Sequence, residues 1–307
     1  MNFKEEIQPF ENLEFLAKQA VEGFITGLHK SPFHGFSVEF AEHRQYNDGE
    51  STKHIDWKLF ARTDKYFIKR YEEETNLRCR IVIDNSSSMH FPVQDQLSLT
   101  NPNKIFYSVF SAMALMKLFK KQRDAVGLSV FSDKIKLHTS EKTTTKHHQQ
   151  LNNELYSLLK DSSNLKTTFA VEALHQIAEN INQRSLVMLF SDMMDNSDQS
   201  ESLFSALQHL RFNKHEVIIF HLNDKQKEIE FDYDNRPYKF VDMETGEELK
   251  LSPNSVKSVY KENKMKALQD LKLHCAQYKI DFIDVDINLD IQNVLLSYFH
   301  KRNKMIR

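Results

Sequence analysis

The sequence predicts an α/β protein with a doubly wound, mostly parallel sheet. From residue 78 onward, short apolar runs alternate with helical segments, which is the pattern of a sheet covered on both faces. The runs are blocky, as buried parallel strands are, with sequences such as CRIVID, LVMLF and EVIIF. Two of them end beside an aspartate, at the sheet edge where open α/β proteins bind ligands. These observations favour one large sheet domain over 78–307, preceded by an extension over 1–77.

The extension has a different pattern from the sheet domain. Apolar residues at helical spacing predict an amphipathic helix over 8–30. Short strands are predicted at 37–40 and 65–71, with a polar segment between them. The extension is therefore expected to combine a helix with short strands.

The elements of the sheet domain follow from its periodicity. Strands are predicted at 79–84, 125–131, 134–139, 185–190, 215–222 and 281–285. Helices are predicted at 101–121, 146–160, 168–182, 200–211, 255–278 and 289–303. The segment 229–251 interrupts this rhythm with short alternating stretches and turn residues, and it indicates a small β excursion.

Composition excludes several classes of function. The chain has 6 glycines, where average usage would give about 20, and no two of them can form a phosphate-binding loop of the Rossmann or P-loop kind. A net charge of −2 gives no general bias toward nucleic acid. Two distant cysteines fit a reducing compartment, and no apolar stretch is long enough to span a bilayer. We expect a cytoplasmic protein with no membrane span.

Side chains with oxygen ligands follow the strands at the predicted ligand-binding edge. Asp84 ends one strand, and Ser86 and Ser88 follow at alternate positions, so their hydroxyls can fold back toward the carboxylate. Asp192 follows another strand, and the loop before the helix at 168–182 adds a threonine hydroxyl. This all-oxygen set is suited to Mg²⁺ or Mn²⁺. The alternative is that the two aspartates cap the helices after their strands.

These residues resemble the metal-ion-dependent adhesion site of von Willebrand factor A domains. Thr168 best matches the threonine of that motif and Thr167 is the alternative, although the glycine that often precedes it is missing here. An upstream block is similar to the signature of the DUF58 family, and the whole resemblance covers about residues 30–225. The block consists of Glu39-Phe40, Arg44-x-Tyr46, Gly49, Ile55-Asp56-Trp57, Ala61-Arg62 and Glu72-Glu73-Glu74.

The resemblance implies a Rossmann-like, von Willebrand factor A-like sheet and a binding module that is not an enzyme. In such a domain the metal takes its last ligand from an Asp or Glu of a protein partner. Members of this kind are typically cytoplasmic bacterial proteins encoded beside AAA+ ATPases of the MoxR group. They are thought to act with these ATPases in protein maturation or complex remodelling.

Two other functions are open at this point. A metal-dependent hydrolase of the phosphatase type could use the same sheet edge, but a haloacid-dehalogenase site needs Asp-x-Asp where this chain has Asp84-x-Ser86. A metal-independent scaffold could bind through its surface. Five residues of the upstream block form either a second functional patch or a structural polar cluster with Trp57 as its apolar anchor. They are Arg44, Tyr46, Asp56, Trp57 and Arg62.

Overall fold

The computed structural model divides the chain into two compact units, which are described separately. One unit contains residues 1–22 and 77–307, and the other contains residues 23–76. The structure describes residues 13–29, 42–46, 57–70, 77–160, 170–181, 184–193, 200–212 and 214–306. The first half of the N-terminal helix is thus grouped with the sheet, whereas the sequence predicted one extension over 1–77. That predicted boundary stays a prediction.

The described residues alternate strands and helices as the sequence predicted. The helices are α1 Leu13–His29, α2 Trp57–Thr63, α3 Lys104–Gln122, α4 Thr145–Lys160, α5 Ala170–Asn180, α6 Ser200–Phe212, α7 Pro253–Gln277 and α8 Gln292–Ile306. The strands are β1 Glu42–Gln45, β2 Phe67–Arg70, β3 Arg78–Asp84, β4 Ala125–Phe131, β5 Ile135–His138, β6 Leu186–Ser191, β7 Glu216–Asn223, β8 Tyr238–Val241, β9 Glu248–Leu251 and β10 Asp281–Asp286.

A six-stranded, mostly parallel sheet forms the centre of the larger unit. Its strand order is β10-β7-β6-β3-β4-β5, and within the described residues of this sheet the edge pair of β4 and β5 is antiparallel while the other pairs are parallel. The chain passes from β3 to β4 on one side and then returns to β6 on the other side of β3. The winding therefore reverses between β3 and β6, which is where open α/β sheets bind their ligands. The prediction of a doubly wound, mostly parallel sheet is confirmed.

Both faces of this sheet are covered by helices. On one face, alternate residues of β6 and β7 pack in a core cluster with α5, α6 and the end of α7. Toward the other face, α3 contacts β3 and β4, and its Phe119 meets Tyr298 of α8 at 5.1 Å between ring centroids. Every residue of β6 is buried. Burial on both faces explains why these strands are continuously apolar.

The β excursion predicted over 229–251 is confirmed as an antiparallel hairpin of β8 and β9. Its turn is fixed by the Asp242 carboxylate, which accepts the backbone N–H groups of Glu244 and Thr245 at 2.8 Å each. Gly246 completes the turn with a φ of 75°, which a side chain would disfavour. A short π-helical turn, Lys225–Ile229, precedes the hairpin and leads it away from the end of β7.

The smaller unit contains an antiparallel pair of β1 and β2 and the helix α2. The strand predicted at 37–40 lies outside the described residues. Residues 42–45, which lie in the predicted polar segment, form β1, and this strand was not predicted. Their sequence, EHRQ, carries no apolar alternation, so the pairing depends on the backbone of β2. Helix α2 was not predicted either.

No helix among the residues that the structure describes has the length and apolar character needed to cross a membrane.

Candidate metal centre at the carboxyl edge of the sheet

The turn after β3 brings three of the predicted ligands together. Asp84 Oδ1 accepts the backbone N–H of Ser86 at 2.9 Å, which folds the chain back over the carboxylate. The Ser86 and Ser88 hydroxyls lie 3.0 Å apart, and a short 3-10 helix, Ser87–His90, holds this spacing. All three side chains are buried. The structure therefore places one carboxylate and two hydroxyls at a single point.

The end of β6 supplies the second half of the site. Ser191 lies beside Asp84, and its hydroxyl donates to Asp84 Oδ2 at 2.7 Å while accepting the backbone N–H of Met193 at 2.9 Å. Asp192 follows and is 3 % exposed. The β3 and β6 ends are neighbours because these strands pair in parallel, with Ile83 opposite Phe190. Both carboxylates thus lie at the point where the winding of the sheet reverses.

Burial and a neighbouring carboxylate govern the ionisation of Asp84. Burial, and then the neighbouring charge of Asp192, raise the pKa of Asp84 to about 7. The hydrogen bonds from Ser191 and Ser86 oppose this rise, since they favour the ionised form, but they are the smaller effects. Ionised Asp84 is therefore unfavourable in the folded protein, and a positive charge at this point would relieve the cost.

A buried lysine contacts the other carboxylate. Lys104, the first residue of α3, donates from Nζ to Asp192 Oδ2 at 2.8 Å and to Glu228 Oε1 at 2.7 Å. Burial would lower the pKa of Lys104, but the charges of Asp192 and Glu228 outweigh it and raise the pKa above its ordinary value. Lys104 is therefore held as an ammonium. It donates to one oxygen of Asp192 and to one oxygen of Glu228.

The donor set fits a hard divalent cation. Among the described residues there is no cluster of three or more His, Cys, Asp or Glu side chains that could hold a metal. A cation here would depend on serine hydroxyls and water beside the two carboxylates, which is oxygen chemistry of the kind that Mg²⁺ accepts. The buried, like-charged pair of Asp84 and Asp192 is the feature that favours a cation. The set does not suit a soft transition metal.

For the other predicted residues the structure gives less detail. Thr167, Thr168 and Asp56 lie outside the described residues. Arg44 falls in β1, opposite Ile68 of β2. Tyr46 meets Tyr66 edge to face at 6.1 Å, and Arg62 is exposed at the end of α2. Trp57, the first residue of α2, is 59 % exposed.

Three contributors to the site were missed in the sequence. Ser191 carried a signal, because a serine at the end of an otherwise apolar strand next to Asp192 points to the same edge. Lys104 carried a weaker signal, because a lysine at the start of a helix that is apolar nearly all round needs an anionic partner. Glu228 carried none, since it lies 124 residues from Lys104 along the chain.

Comparison with known families gives a clear assignment. A family model described as "protein of unknown function DUF58" matches residues 42–269. The chain belongs to the DUF58 family. The match confirms the resemblance seen in the upstream block and includes β1, the candidate metal centre and the β8–β9 hairpin.

Three relatives of this DUF58 protein are described as uncharacterized proteins. The chain is 30 % identical over 79 residues to an uncharacterized protein of Mycobacterium bovis and to two of Mycobacterium tuberculosis. The match covers 26 % of this chain and 25 % of each relative, so it spans about a quarter of their length.

Solved structures share a distant similarity with this chain. The conserved hypothetical protein BatB from Bacteroides thetaiotaomicron is 12 % identical with a TM-score of 0.46, over 74 % of this chain and 99 % of that chain. An aerotolerance-related membrane protein from Bacteroides fragilis is 16 % identical with a TM-score of 0.39, over 73 % and 99 %.

Proposed function

We propose that this DUF58 protein is a metal-dependent protein-interaction module and not an enzyme. Asp84, Ser86, Ser88 and Asp192 would hold Mg²⁺ or Mn²⁺ directly or through water, together with Thr168 or, alternatively, Thr167. The observation that carries the proposal is the buried pair of carboxylates beside two hydroxyls at the reversal point of the sheet. The domain would then be of the von Willebrand factor A type.

The chemistry of the described site supports binding rather than catalysis. The Ser86 and Ser88 hydroxyls are hydrogen-bonded to each other, and the ionisable group beside Ser86 is the Asp84 carboxylate, which this proposal assigns to the metal rather than to activation of a nucleophile. Lys104 is held protonated between two carboxylates, so it cannot act as a general base. A phosphatase of the haloacid-dehalogenase type would also need a second acid at the position of Ser86. The hydrolase is therefore the weaker alternative.

The partner in this proposal is a protein that supplies an Asp or Glu side chain. Hydroxyls contribute no charge, so a divalent cation on this site keeps affinity for an additional carboxylate. The family resemblance suggests an AAA+ ATPase of the MoxR type as that partner, acting with this protein in the cytoplasm during protein maturation or complex remodelling. A metal-independent scaffold is the remaining alternative.

A partner-capture experiment tests the proposal. Immobilised wild-type protein, Asp84→Ala and Asp133→Ala are incubated with extract of the native cell in Mg²⁺ or in EDTA, and the retained proteins are identified by mass spectrometry. Asp133 is an exposed aspartate just after β4, so its variant is a matched control. We expect an AAA+ ATPase to be retained by wild type and Asp133→Ala in Mg²⁺. It should be lost in EDTA and with Asp84→Ala.

Two outcomes would contradict this proposal. Retention of the ATPase by Asp84→Ala and in EDTA would favour the scaffold, provided that circular dichroism shows the variant to be folded. Turnover of a generic phosphate ester by wild type, lost in Asp84→Ala and kept in Asp133→Ala, would favour the hydrolase.

A further inference from the structure

Lys104 occupies a position where a cation is costly. Its side chain is 1 % exposed, and a buried ammonium loses its hydration. It is also the first residue of α3, where the partial positive charge of the helix N-terminus disfavours a second positive charge. Replacing buried ion pairs by apolar residues is often neutral or stabilising. The position itself therefore does not favour a lysine, which depends on its two carboxylate partners.

The partners of Lys104 fix its ammonium beside the candidate metal centre. Nζ contacts Asp192 Oδ2 and Glu228 Oε1 at hydrogen-bonding distance. Glu228 is held in turn, because its Oε2 accepts the backbone N–H of Asp224 at 2.8 Å and its carbonyl accepts the Tyr260 hydroxyl at 3.0 Å. The ring of Phe91 lies 5.7 Å from Nζ. The positive charge is thus immobile and adjoins a predicted metal ligand.

We propose that Lys104 sets the cation affinity of the site. Its ammonium occupies one oxygen of Asp192 and places a fixed positive charge next to the divalent cation, so the cation binds more weakly than two bare carboxylates would bind it. Weak binding leaves the cation dependent on the carboxylate of a partner. This inference rests on the proposed function, because it requires a cation at Asp84 and Asp192.

The charge balance of the cluster makes the inference testable. The cluster contains three carboxylates, those of Asp84, Asp192 and Glu228, and one ammonium. Lys104→Met makes the cluster more negative by one unit, and Glu228→Gln makes it less negative by one unit. The double variant Lys104→Met/Glu228→Gln restores the wild-type charge. Cation affinity should follow this order if charge decides it.

The experiment measures binding of Mn²⁺ alone by the loss of the free-ion signal in electron paramagnetic resonance. Wild type, the two single variants, the double variant and Asp84→Ala are compared under one buffer condition, with folding checked by circular dichroism. We expect Lys104→Met to bind Mn²⁺ at least about tenfold more tightly than wild type, and Glu228→Gln about tenfold more weakly. The double variant should bind close to wild type, and Asp84→Ala should show no site.

The outcomes separate this inference from the proposed function. If Asp84→Ala abolishes binding but Lys104→Met binds Mn²⁺ no more tightly than wild type, the proposed metal site stands and Lys104 is a structural partner. If Lys104→Met does not fold, Glu228→Gln decides, and unchanged or tighter binding by that variant overturns the inference. If no protein of the set binds Mn²⁺, both the metal site and the role of Lys104 are wrong.

Discussion

The two most deeply buried cations among the described residues sit in regions with different charge balance. Arg80, in the interior of β3, pairs with Glu141 and donates to the Ser129 hydroxyl and the Thr139 carbonyl. Lys104, at the carboxyl edge of the sheet, faces Asp192 and Glu228, with Asp84 close by. The interior cluster pairs one cation with one carboxylate. The edge cluster has one cation for three carboxylates, an excess of negative charge that suits a site for an additional cation.

The largest loss of stability that would test this comparison is expected at Arg80. Arg80→Met removes the guanidinium and leaves Glu141 without its partner, so we expect a loss of about 3 kcal/mol in the free energy of unfolding. Urea denaturation measures the loss. Mn²⁺ affinity of the folded variant should match wild type, because the interior cluster is structural. A change in Mn²⁺ affinity as large as that of Lys104→Met would show that the two clusters are not independent.

Removing the charge of Asp84 is expected to stabilise the metal-free protein. The raised pKa, from its ordinary 3.8 to about 7, means that the folded state holds the proton more tightly than the unfolded state. Protonated Asp84 therefore stabilises the folded state fully below pH 3.8, and this stabilisation is lost as the pH rises through about 7. Asp84→Asn keeps the shape without the charge, so we expect it to be more stable than wild type at pH 8 by up to about 4 kcal/mol.

The measurement is thermal or urea unfolding in EDTA across this pH range. The difference between Asp84→Asn and wild type should shrink as the pH falls and should vanish well below pH 3.8, where wild-type Asp84 is protonated in both states. Asp133→Asn, at an exposed position, is the control for the substitution itself. A variant less stable than wild type at pH 8 would show that the hydrogen bonds of the ionised carboxylate outweigh its burial.

Much of the fold could be predicted, because burial leaves a strong pattern in the sequence. Strands β3, β6 and β7 were predicted to within one or two residues, since strands covered on both faces are apolar throughout. Strand β1 was missed because the pairing of two four-residue strands depends on their backbones, and the side chains of EHRQ carry no apolar alternation. The seven residues of α2 are too few for a periodic signal.

The residues of the candidate site also differ in whether the sequence could predict them. Asp84, Ser86 and Ser88 could be predicted because they lie within five residues of one another at the end of a clear strand. Lys104 contacts Asp192 and Glu228, which lie 88 and 124 residues away along the chain, and only tertiary packing decides these contacts. Local patterns therefore predicted the ligands, whereas the charge that surrounds them required the structure.

A smaller effect is expected at Gly127, which lies opposite Arg80 in the ladder between β3 and β4. A Cβ at this position would lie 2.8 Å from Arg80 Cζ and 2.9 Å from the Thr139 carbonyl oxygen. Gly127→Ala should therefore destabilise the protein by about 1–3 kcal/mol through overpacking. In the Arg80→Met background the same change should cost less, because one of the two clashes is gone. Additive costs in a double-mutant cycle would contradict this coupling.

The smallest effect is expected where a cation is paired but exposed. Lys239 and Glu248 lie 2.6 Å apart on the β8–β9 hairpin, with their side chains 49 % and 52 % exposed. Water already solvates both groups, so we expect Lys239→Ala to cost no more than about 0.5 kcal/mol in urea denaturation, and less in high salt. Lys250→Ala, at the position opposite Lys239, controls for loss of the side chain. A cost near that of Arg80→Met would mean that pairing, rather than burial, determines how much the two buried cations, Arg80 and Lys104, contribute to stability.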